Sequence, residues 1–190
     1  MSKQTSSSLL LLSKLDMEII VVDDKSPDGT ADLCEELMKV HPGKIKLLRR
    51  AGKMGLGSAY IDGLKQASGT HIILLDADLS HHPRYIPEFV KKMEETNADI
   101  VTGTRYINEK GGVSGWPAFR HLTSQTANFV ATFMLEAKNT DLTGSFRLYR
   151  REVFDDIIPK IVSKGYAFQM EIILRAAHQG YKIEEVPIIF

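Results

Sequence analysis

The sequence has no surplus of charge of either sign. Its 24 lysines and arginines balance its 24 aspartates and glutamates, so the formal net charge is zero. A protein that binds nucleic acid usually presents a broad basic surface to the phosphate backbone, and this composition does not supply one. We therefore expect no nucleic-acid partner, and we expect any anion to bind at a local site.

Cysteine and long apolar runs are scarce as well. The single cysteine, Cys34, cannot form an internal disulfide or a cysteine zinc site, and its amphipathic surroundings predict a buried side chain. The N-terminal apolar run consists of the four leucines 9–12, which are soon followed by Lys14 and Asp16. That run is too short for a signal peptide, and no run approaches the roughly 20 apolar residues of a membrane span.

The residues that are present indicate a single globular domain. Hydrophobic residues make up 43% and charged residues 25% of the 190 positions, which is ordinary for a folded chain. Short apolar runs alternate with helical patterns, and this alternation predicts a doubly wound, mostly parallel α/β sheet. The predicted strands are 17–22, 45–48, 71–75, 99–103, 142–149 and 181–186. The predicted helices are 30–40, 58–68, 83–96, 117–135, 151–158 and 168–178.

Polar side chains follow three of the predicted strands. Asp23 and Asp24 end the first strand, Asp76 and Asp78 follow the third, and Arg105 follows the fourth. In a doubly wound sheet, ligands bind beyond the carboxyl ends of the strands. The sequence therefore predicts one ligand site that these three clusters share.

The segment Asp76-Ala77-Asp78 indicates a metal site. In an extended chain, residues two apart point to the same side, and two carboxylates so placed repel each other unless a cation lies between them. Mg²⁺ or Mn²⁺ would suit these oxygen ligands together with phosphate oxygens and would neutralise a leaving diphosphate. The alternative is an ordinary solvated turn after a strand.

The other polar clusters suit a phosphorylated nucleotide. Asp24 could accept hydrogen bonds from a base or ribose, although a helix-capping turn would also explain it. The guanidinium fork of Arg105 matches phosphate oxygens, whereas a surface ion pair is the alternative. Arg120 and Ser124 lie four residues apart, so one helix face could present both to a phosphate.

Two further patterns are interpreted as structural. Gly52, Gly55 and Gly57 have neither the dinucleotide-binding spacing nor a following Gly-Lys-Ser/Thr, so we expect them to turn the chain before a helix. The adjacent His81 and His82 could bind a metal, but adjacent side chains usually point apart. We expect a structural role for both histidines.

A series of motifs resembles the catalytic subunits of dolichol-phosphate mannosyltransferases. The resemblance runs from about Glu18 to Phe190, and the ordered series is far more specific than a single Asp-x-Asp. Its motifs occupy 21–24, 26–30, 55–60, 76–83, 103–106, 141–149 and 163–171.

The resemblance implies a GT-A fold and a defined reaction. Such enzymes transfer mannose from GDP-mannose to dolichyl phosphate with inversion, giving dolichyl β-D-mannosyl phosphate for N-glycan, O-mannose and GPI-anchor synthesis. The resemblance also implies Mg²⁺ or Mn²⁺ as cofactor and small membrane-anchoring subunits as partners. The expected location is the cytosolic face of the endoplasmic reticulum.

The same resemblance implies roles for individual residues. It assigns Asp78 and Arg105 as catalytic residues and Asp76 and Asp78 as metal ligands. The residues implied to bind the nucleotide sugar are Val22, Asp24, Asp76, Ala77, Asp78 and Arg105. The residues implied to bind the acceptor phosphate are Arg105, Arg120 and Ser124.

The sequence departs from the family at both ends and at one internal position. The first strand with its Pro-Thr-Tyr-Asn-Glu type motif is absent, as is the basic loop that follows Phe190 in relatives. Lys25 stands where relatives usually carry a small residue. We expect residues 1–15 to lie outside the family, 16–190 to form an incomplete GT-A domain with a gap or a free edge in its sheet, and the chain alone to show little or no transferase activity.

Two alternative functions remain open from the sequence. The chain could be a non-catalytic fragment or a regulatory homologue that binds a subunit of a complex. It could also be a related transferase that moves glucose from UDP-glucose to the same lipid acceptor.

Overall fold

The computed structural model describes residues 15–107, 112, 126, 139–163, 165 and 167–189. Six strands form the sheets: β1 Ile19–Asp23, β2 Ile45–Arg49, β3 His71–Leu74, β4 Ile100–Thr104, β5 Arg147–Arg150 and β6 Ile183–Pro187. The α-helices are α1 Thr30–Val40, α2 Leu56–Leu64, α3 Ile86–Thr96, α4 Arg151–Ile157 and α5 Ala167–His178. Short 3₁₀ turns, Pro83–Tyr85 and Ile158–Lys160, precede α3 and follow α4.

The strands form two sheets, and the predicted α/β class is confirmed. β1 and β2 pair in parallel, whereas the larger sheet has the order β3-β5-β4-β6. β4 and β6 are parallel, but β5 runs antiparallel to both of its neighbours. In the larger sheet β3, β4 and β6 therefore run in one direction and β5 runs against them, because β5 enters from the edge at which β3 and β4 end. Among the described residues no strand pairing joins the two sheets.

The core lies on both faces of the larger sheet. Successive residues of a strand point to opposite faces, so Leu148 joins the cluster that contains Phe89 of α3, while Tyr149 joins the one that contains Phe168 of α5. All five residues of β4 are buried as well. Full burial of one large apolar side chain contributes about 1.5–3 kcal/mol, so this sheet is the stable platform of the domain.

The predicted strand 142–149 is wrong in its first half. Only Arg147–Arg150 is a strand, and residues 141–146 form a loop at its entrance. The Asp141 carboxylate accepts hydrogen bonds from the backbone N–H groups of Thr143 and Gly144 at 3.2 and 3.0 Å. Such local side-chain bonds compete with strand pairing and turn the chain.

Cys34 and Lys25, which the sequence singles out, both lie near the smaller sheet. Cys34 is buried in α1, as predicted. Lys25 has a φ of 60°, a left-handed conformation that costs a non-glycine residue about 1–2 kcal/mol. A glycine at this position would adopt the same conformation without that cost.

Candidate functional site

Three of the predicted clusters follow the carboxyl ends of strands in the structure. Asp24 follows β1, Asp76 lies two residues after β3, and Arg105 follows β4. Because β3 and β4 are both antiparallel to β5, they run in the same direction and end at the same edge. Strands lie about 4.8 Å apart, so Asp76 and Arg105 follow strands separated by about 10 Å, with β5 between them.

The segment Asp76-Ala77-Asp78 is a turn and not an extended chain. Ala77 and Asp78 form the turn and are exposed, whereas Asp76 is half-buried. The expectation that the two carboxylates share one side because they alternate along a strand is therefore wrong, since the strand ends at Leu74. The two carboxylates have different partners instead.

Asp76 has hydrogen-bond partners in three other parts of the chain. Ser145 Oγ donates to its Oδ2 at 2.5 Å, and the Tyr60 hydroxyl donates to its Oδ1 at 3.4 Å. Its backbone N–H donates to His81 Nδ1 at 3.0 Å. Burial and the neighbouring Asp76 carboxylate raise the pKa of Tyr60, so the phenol stays protonated and remains a donor. These contacts fix the orientation of the Asp76 carboxylate.

Asp78 has one oxygen engaged within its own turn. Ser80 Oγ and the Ser80 N–H both donate to Asp78 Oδ1, at 2.5 and 3.0 Å. These hydrogen bonds lower the pKa of Asp78, so the carboxylate is ionised at neutral pH. Ser80 therefore supports Asp78 within this turn.

The paired histidines are structural, in agreement with the prediction. His81 is buried and stacks on Phe146 with ring centroids 5.0 Å apart. Burial lowers the pKa of His81 despite the nearby Asp76 and Asp78, which suits its role as a neutral acceptor for the Asp76 N–H. His82 Nδ1 accepts the Arg84 N–H at 3.1 Å and caps the 3₁₀ turn.

Asp24 is bound by a buried arginine. Arg50 Nε and Nη2 donate to its two carboxylate oxygens at 2.6 and 2.7 Å, and Arg50 Nη1 donates to Ser58 Oγ at 2.7 Å. Only 3% of the Arg50 side chain is exposed. Val22 lies one strand position inward, and its side chain faces Gly63 of α2. One methyl group of the half-buried Val22 side chain is therefore covered by α2.

Arg105 forms a buried ion pair. Its Nε and Nη2 donate to Asp141 at 2.7 and 2.8 Å, and Nη2 also donates to Thr143 Oγ1 at 2.7 Å. Burial alone would raise the pKa of Asp141, but the bonds from Arg105 outweigh it and the pKa lies below its usual range. The guanidinium plane of Arg105 is thus fixed at the edge of the sheet. Its ion pair is buried, whereas the alternative weighed from the sequence was an ion pair at the surface.

Two connecting elements join the three clusters through residues for which the sequence predicts no individual role. Helix α2 carries Ser58, which meets the Asp24–Arg50 pair, and Tyr60, which meets Asp76. The loop before β5 carries Asp141 and Ser145, which meet Arg105 and Asp76. These residues lie inside motifs that carry the family resemblance, and that was the one sequence signal available.

Beneath these connections lies Arg147, which is fully buried. It donates to the carbonyl oxygens of Gln169 and Leu142 at 2.6 and 3.0 Å and to Thr102 Oγ1 at 3.3 Å. The Gln169 amide in turn donates to the Tyr60 hydroxyl at 3.1 Å. Gln169 therefore supports Tyr60.

The predicted acceptor residues Arg120 and Ser124 lie outside the described residues. Within the part of the chain that the structure describes, no group of three or more His, Cys, Asp or Glu side chains could hold a metal ion. Two carboxylates, from Asp76 and Asp78, are what Mg²⁺-type cations commonly take from a protein when phosphates and waters complete the shell. The donor set therefore fits a cation that arrives with a diphosphate.

Comparisons with known proteins identify the family. The model described as glycosyl transferase family 2 matches residues 3–158, and the chain belongs to this family. The solved structures described below also confirm the GT-A fold class that was expected from the motifs.

Two relatives with named functions come from bacteria. The chain is 38% identical to the polyprenol monophosphomannose synthase of Mycolicibacterium smegmatis, over 92% of this chain and 66% of the relative. It is 36% identical to the undecaprenyl-phosphate mannosyltransferase of Micrococcus luteus, over 91% of this chain and 71% of the relative. The chain thus spans about two thirds of the length of these relatives.

Solved structures with the same fold are more distant in sequence. The glucosyl-3-phosphoglycerate synthase from Mycobacterium tuberculosis, in complex with Mn²⁺, UDP and glucosyl-3-phosphoglycerate, matches with a TM-score of 0.67 and 17% identity, over 97% of this chain and 64% of that one. A mannosyltransferase from Pyrobaculum calidifontis, in complex with GDP-Man and Mn²⁺, has a TM-score of 0.58 and 16% identity, over 100% of this chain and 52% of that one. No helix among the described residues is long and apolar enough to cross a membrane.

Proposed function

We propose that this protein transfers mannose from GDP-mannose to a polyprenyl phosphate. The observation that carries the proposal is that two charged groups at one sheet edge, Asp76 and Arg105, are held by the same loop. Ser145 of this loop donates to Asp76, and Asp141 of this loop accepts from Arg105. A carboxylate site for a cation and an arginine for a phosphate are the two features such a transfer needs. The named functions of the bacterial relatives support the choice of mannose and of a polyprenyl phosphate.

Asp76 and Asp78 would hold Mg²⁺ or Mn²⁺ together with the diphosphate. The cation, when bound, neutralises charge that develops on the leaving nucleoside diphosphate. The protein's contribution is preorganisation, because Asp76 is already oriented by Ser145 and Tyr60 and Asp78 by Ser80. Ala77 lies between the two aspartates in an exposed turn, so its backbone can approach the diphosphate.

Asp24 and Val22 would bind the nucleoside. The Asp24 carboxylate has two oxygens, each with more than one acceptor site, so its pairing with Arg50 leaves capacity for a donor from a base or ribose. Arg50 holds that carboxylate at the end of β1. Val22 would contribute backbone contacts, because its side chain packs against α2.

Arg105, with Arg120 and Ser124, would bind the acceptor phosphate. A phosphate monoester has a second pKa near 6, so it is mostly dianionic at neutral pH and is already a nucleophile. The protein then needs no general base; it must hold the phosphate in line with the anomeric carbon. Arg105 and Asp78 are the catalytic residues in this proposal, because they would touch the acceptor phosphate and the metal-bound diphosphate.

The finer features of the proposal rest on the resemblance. The acceptor would be dolichyl phosphate, and the product would serve N-glycan, O-mannose and GPI-anchor synthesis. The protein would act at the cytosolic face of the endoplasmic reticulum, together with small membrane-anchoring subunits.

Calorimetry with GDP-mannose tests the proposal without requiring turnover. We expect GDP-mannose to bind only with Mn²⁺ and GDP to compete more strongly than UDP. We expect Asp76→Asn to lower the affinity for GDP-mannose by at least about tenfold, because one charged metal ligand is lost. Asp155→Asn, an exposed carboxylate on α4, serves as the matched control. Binding independent of Mn²⁺, or a stronger competition by UDP-glucose, would contradict it.

A further inference from the structure

One loop contacts both charged halves of the site. We define the bridging loop as residues 140–145, which lie directly before Phe146 and β5. Near its start, Asp141 accepts hydrogen bonds from Arg105; at its end, Ser145 donates one to Asp76. Since β5 lies between β3 and β4, the bridging loop spans the edge between the strands that deliver Asp76 and Arg105.

We propose that Asp141 and Ser145 are positioning residues that set the geometry between the metal-binding carboxylate and the phosphate-binding arginine. Neither needs to touch a substrate. Asp141 orients the guanidinium of Arg105, and Ser145 orients the carboxylate of Asp76. The inference rests on the proposed function, because it assigns the bridging loop to the same site.

The Arg105 half of the loop is rigid because Asp141 has several partners. Asp141 is fully buried, and its carboxylate accepts bonds from the Thr143 and Gly144 N–H groups as well as from Arg105. A buried carboxylate with three sets of donors cannot turn without leaving some of them unpaired. The two-point pairing with Nε and Nη2 therefore fixes the plane of the Arg105 guanidinium.

The Asp76 half of the loop is equally constrained. The bond from Ser145 Oγ to Asp76 Oδ2, at 2.5 Å, is shorter than the 3.4 Å bond from Tyr60 to the other oxygen. Ser145 is buried, and the next residue, Phe146, packs between His81 and Phe89 with ring centroids 5.0 and 4.6 Å away. The hydroxyl therefore has a fixed position.

The loop is also fastened to the sheet itself. The Thr140 N–H donates to the Glu185 carboxylate of β6 at 2.8 Å. A Cβ atom at Gly144 would lie 3.3 Å from the Gly103 carbonyl oxygen of β4, so the loop backbone lies directly against that strand. The bridging loop is therefore attached to β6 at its start, to β4 in its middle and to the core at its end.

Two separate affinities of the full chain distinguish positioning from general support of the fold. Calorimetry would measure the affinity for Mn²⁺ in the presence of GDP and, in a second titration, the affinity for farnesyl phosphate without metal. We expect Ser145→Ala to weaken Mn²⁺ binding about tenfold, the low end for partners of metal ligands, with farnesyl phosphate affinity unchanged within about twofold. We expect Asp141→Asn to weaken farnesyl phosphate binding about tenfold, equivalent to about one good hydrogen bond, with Mn²⁺ affinity unchanged.

Conservative variants keep the test decisive if one of these proteins fails to fold. Ser145→Thr keeps a hydroxyl and should restore the Mn²⁺ affinity. Thr143→Val removes the hydroxyl of an exposed residue that accepts a hydrogen bond from Arg105 Nη2. It should weaken farnesyl phosphate binding about threefold, which is less than the effect of a full hydrogen bond, and should leave the Mn²⁺ affinity unchanged.

The outcomes separate the two proposals. If each variant lowers both affinities together, or if neither affinity changes, the bridging loop does not position the two groups and the inference is wrong. If the wild-type chain binds neither Mn²⁺ with GDP nor farnesyl phosphate, the proposed function fails first and the inference fails with it.

Discussion

The two central strands of the larger sheet are buried more deeply than the strands of the smaller sheet. In the smaller sheet, β1 and β2 are mostly half-buried, and each has one exposed end. In the larger sheet, every position of β4 and all but the last of β5 are buried, whereas the edge strands β3 and β6 are mostly half-buried. Burial of apolar surface is the main source of stability, so the larger sheet should unfold last and the smaller sheet should open more readily.

This difference teaches how the two sides of the candidate site are held. On the smaller sheet, Asp24 depends on Arg50 and on the helix contact of Ser58. On the larger sheet, Arg105 and Asp76 are fixed by a loop anchored in the core. The proposed nucleoside side is therefore the softer half of the site, and the metal and acceptor side is the preformed half.

Removing a buried arginine should produce the largest effect. Arg147→Met leaves the carbonyl oxygens of Leu142 and Gln169 without their donor inside the core, at a cost of about 3 kcal/mol, since each unpaired buried group costs about 1–3. The matched change is Arg49→Met on β2, where the side chain is 49% exposed and pairs with Asp32 and Glu35. Exposed pairs contribute about 0–1 kcal/mol. Urea unfolding followed by circular dichroism measures both changes.

If Arg49→Met destabilised the protein as much as Arg147→Met, the contrast between the sheets would not hold. Both variants remove one guanidinium from a strand, so the charge change is the same. Only the burial and the partners differ.

Substitution of two glycines of α2 by alanine should change the stability by an intermediate amount. Gly57 faces α5, which packs on the larger sheet, whereas Gly63 faces β1 of the smaller sheet. A Cβ at Gly57 would lie 2.7 Å from the buried Phe168 ring of α5, so Gly57→Ala should cost about 1–3 kcal/mol by overpacking. A Cβ at Gly63 would lie 3.2 Å from a methyl group of Val22 in β1. There the gain in helix propensity, about 1 kcal/mol, should offset the crowding. Thermal unfolding compares them, and equal losses would contradict a softer β1 side.

Substitution of Glu18, which links the segments before β1 and β3, should change the free energy of unfolding least, and this change should depend on pH. Glu18, before β1, accepts hydrogen bonds from Lys46 and from the N–H groups of Ser68 and Gly69, before β3. The bond from Lys46 and those from Ser68 lower the pKa of Glu18 to about 2. We expect Glu18→Gln to cost about 1 kcal/mol at pH 7, a value reduced for solvent screening.

The sign of this pH dependence follows from the lowered pKa. The stabilisation by Glu18 is complete above its ordinary pKa of 4.5 and is lost as the pH falls towards about 2. The difference in unfolding free energy between wild type and Glu18→Gln should therefore shrink across that window. Glu36→Gln, on the exposed surface of α1, is the control. A difference that stays constant down to pH 2 would contradict the role of Glu18.

The sequence predicts most of the fold, because its elements have clear local signals. The apolar runs before Asp23, Asp76 and Arg105 are strands in the structure, and their ends lie where the predicted clusters begin. The half-wrong strand at 142–149 shows the limit of such signals. Its apolar and β-prone residues favour a strand, but the Asp141 side chain bonds its own backbone and bends the chain there.

The connections within the site were not predictable in the same way. Arg105 was weighed as a phosphate ligand or a surface pair, yet its buried pairing with Asp141 joins residues far apart in sequence. In the sequence Tyr60 and Ser145 look like ordinary helix and strand residues, and no periodicity indicates that both donate to Asp76. Only the order of strands in the sheet, which a single sequence does not state, brings these residues together.

The position of β5 between β3 and β4 has a consequence for synthesis of the chain. A growing polypeptide that has emerged as far as β4 already contains Asp76 and Arg105 but lacks the bridging loop and the strand that separates them. Contacts between such distant segments form late, because long loops must close first. The charged edge would then acquire its final spacing only after Arg150 has left the ribosome, so an unfinished chain would not engage its ligands prematurely.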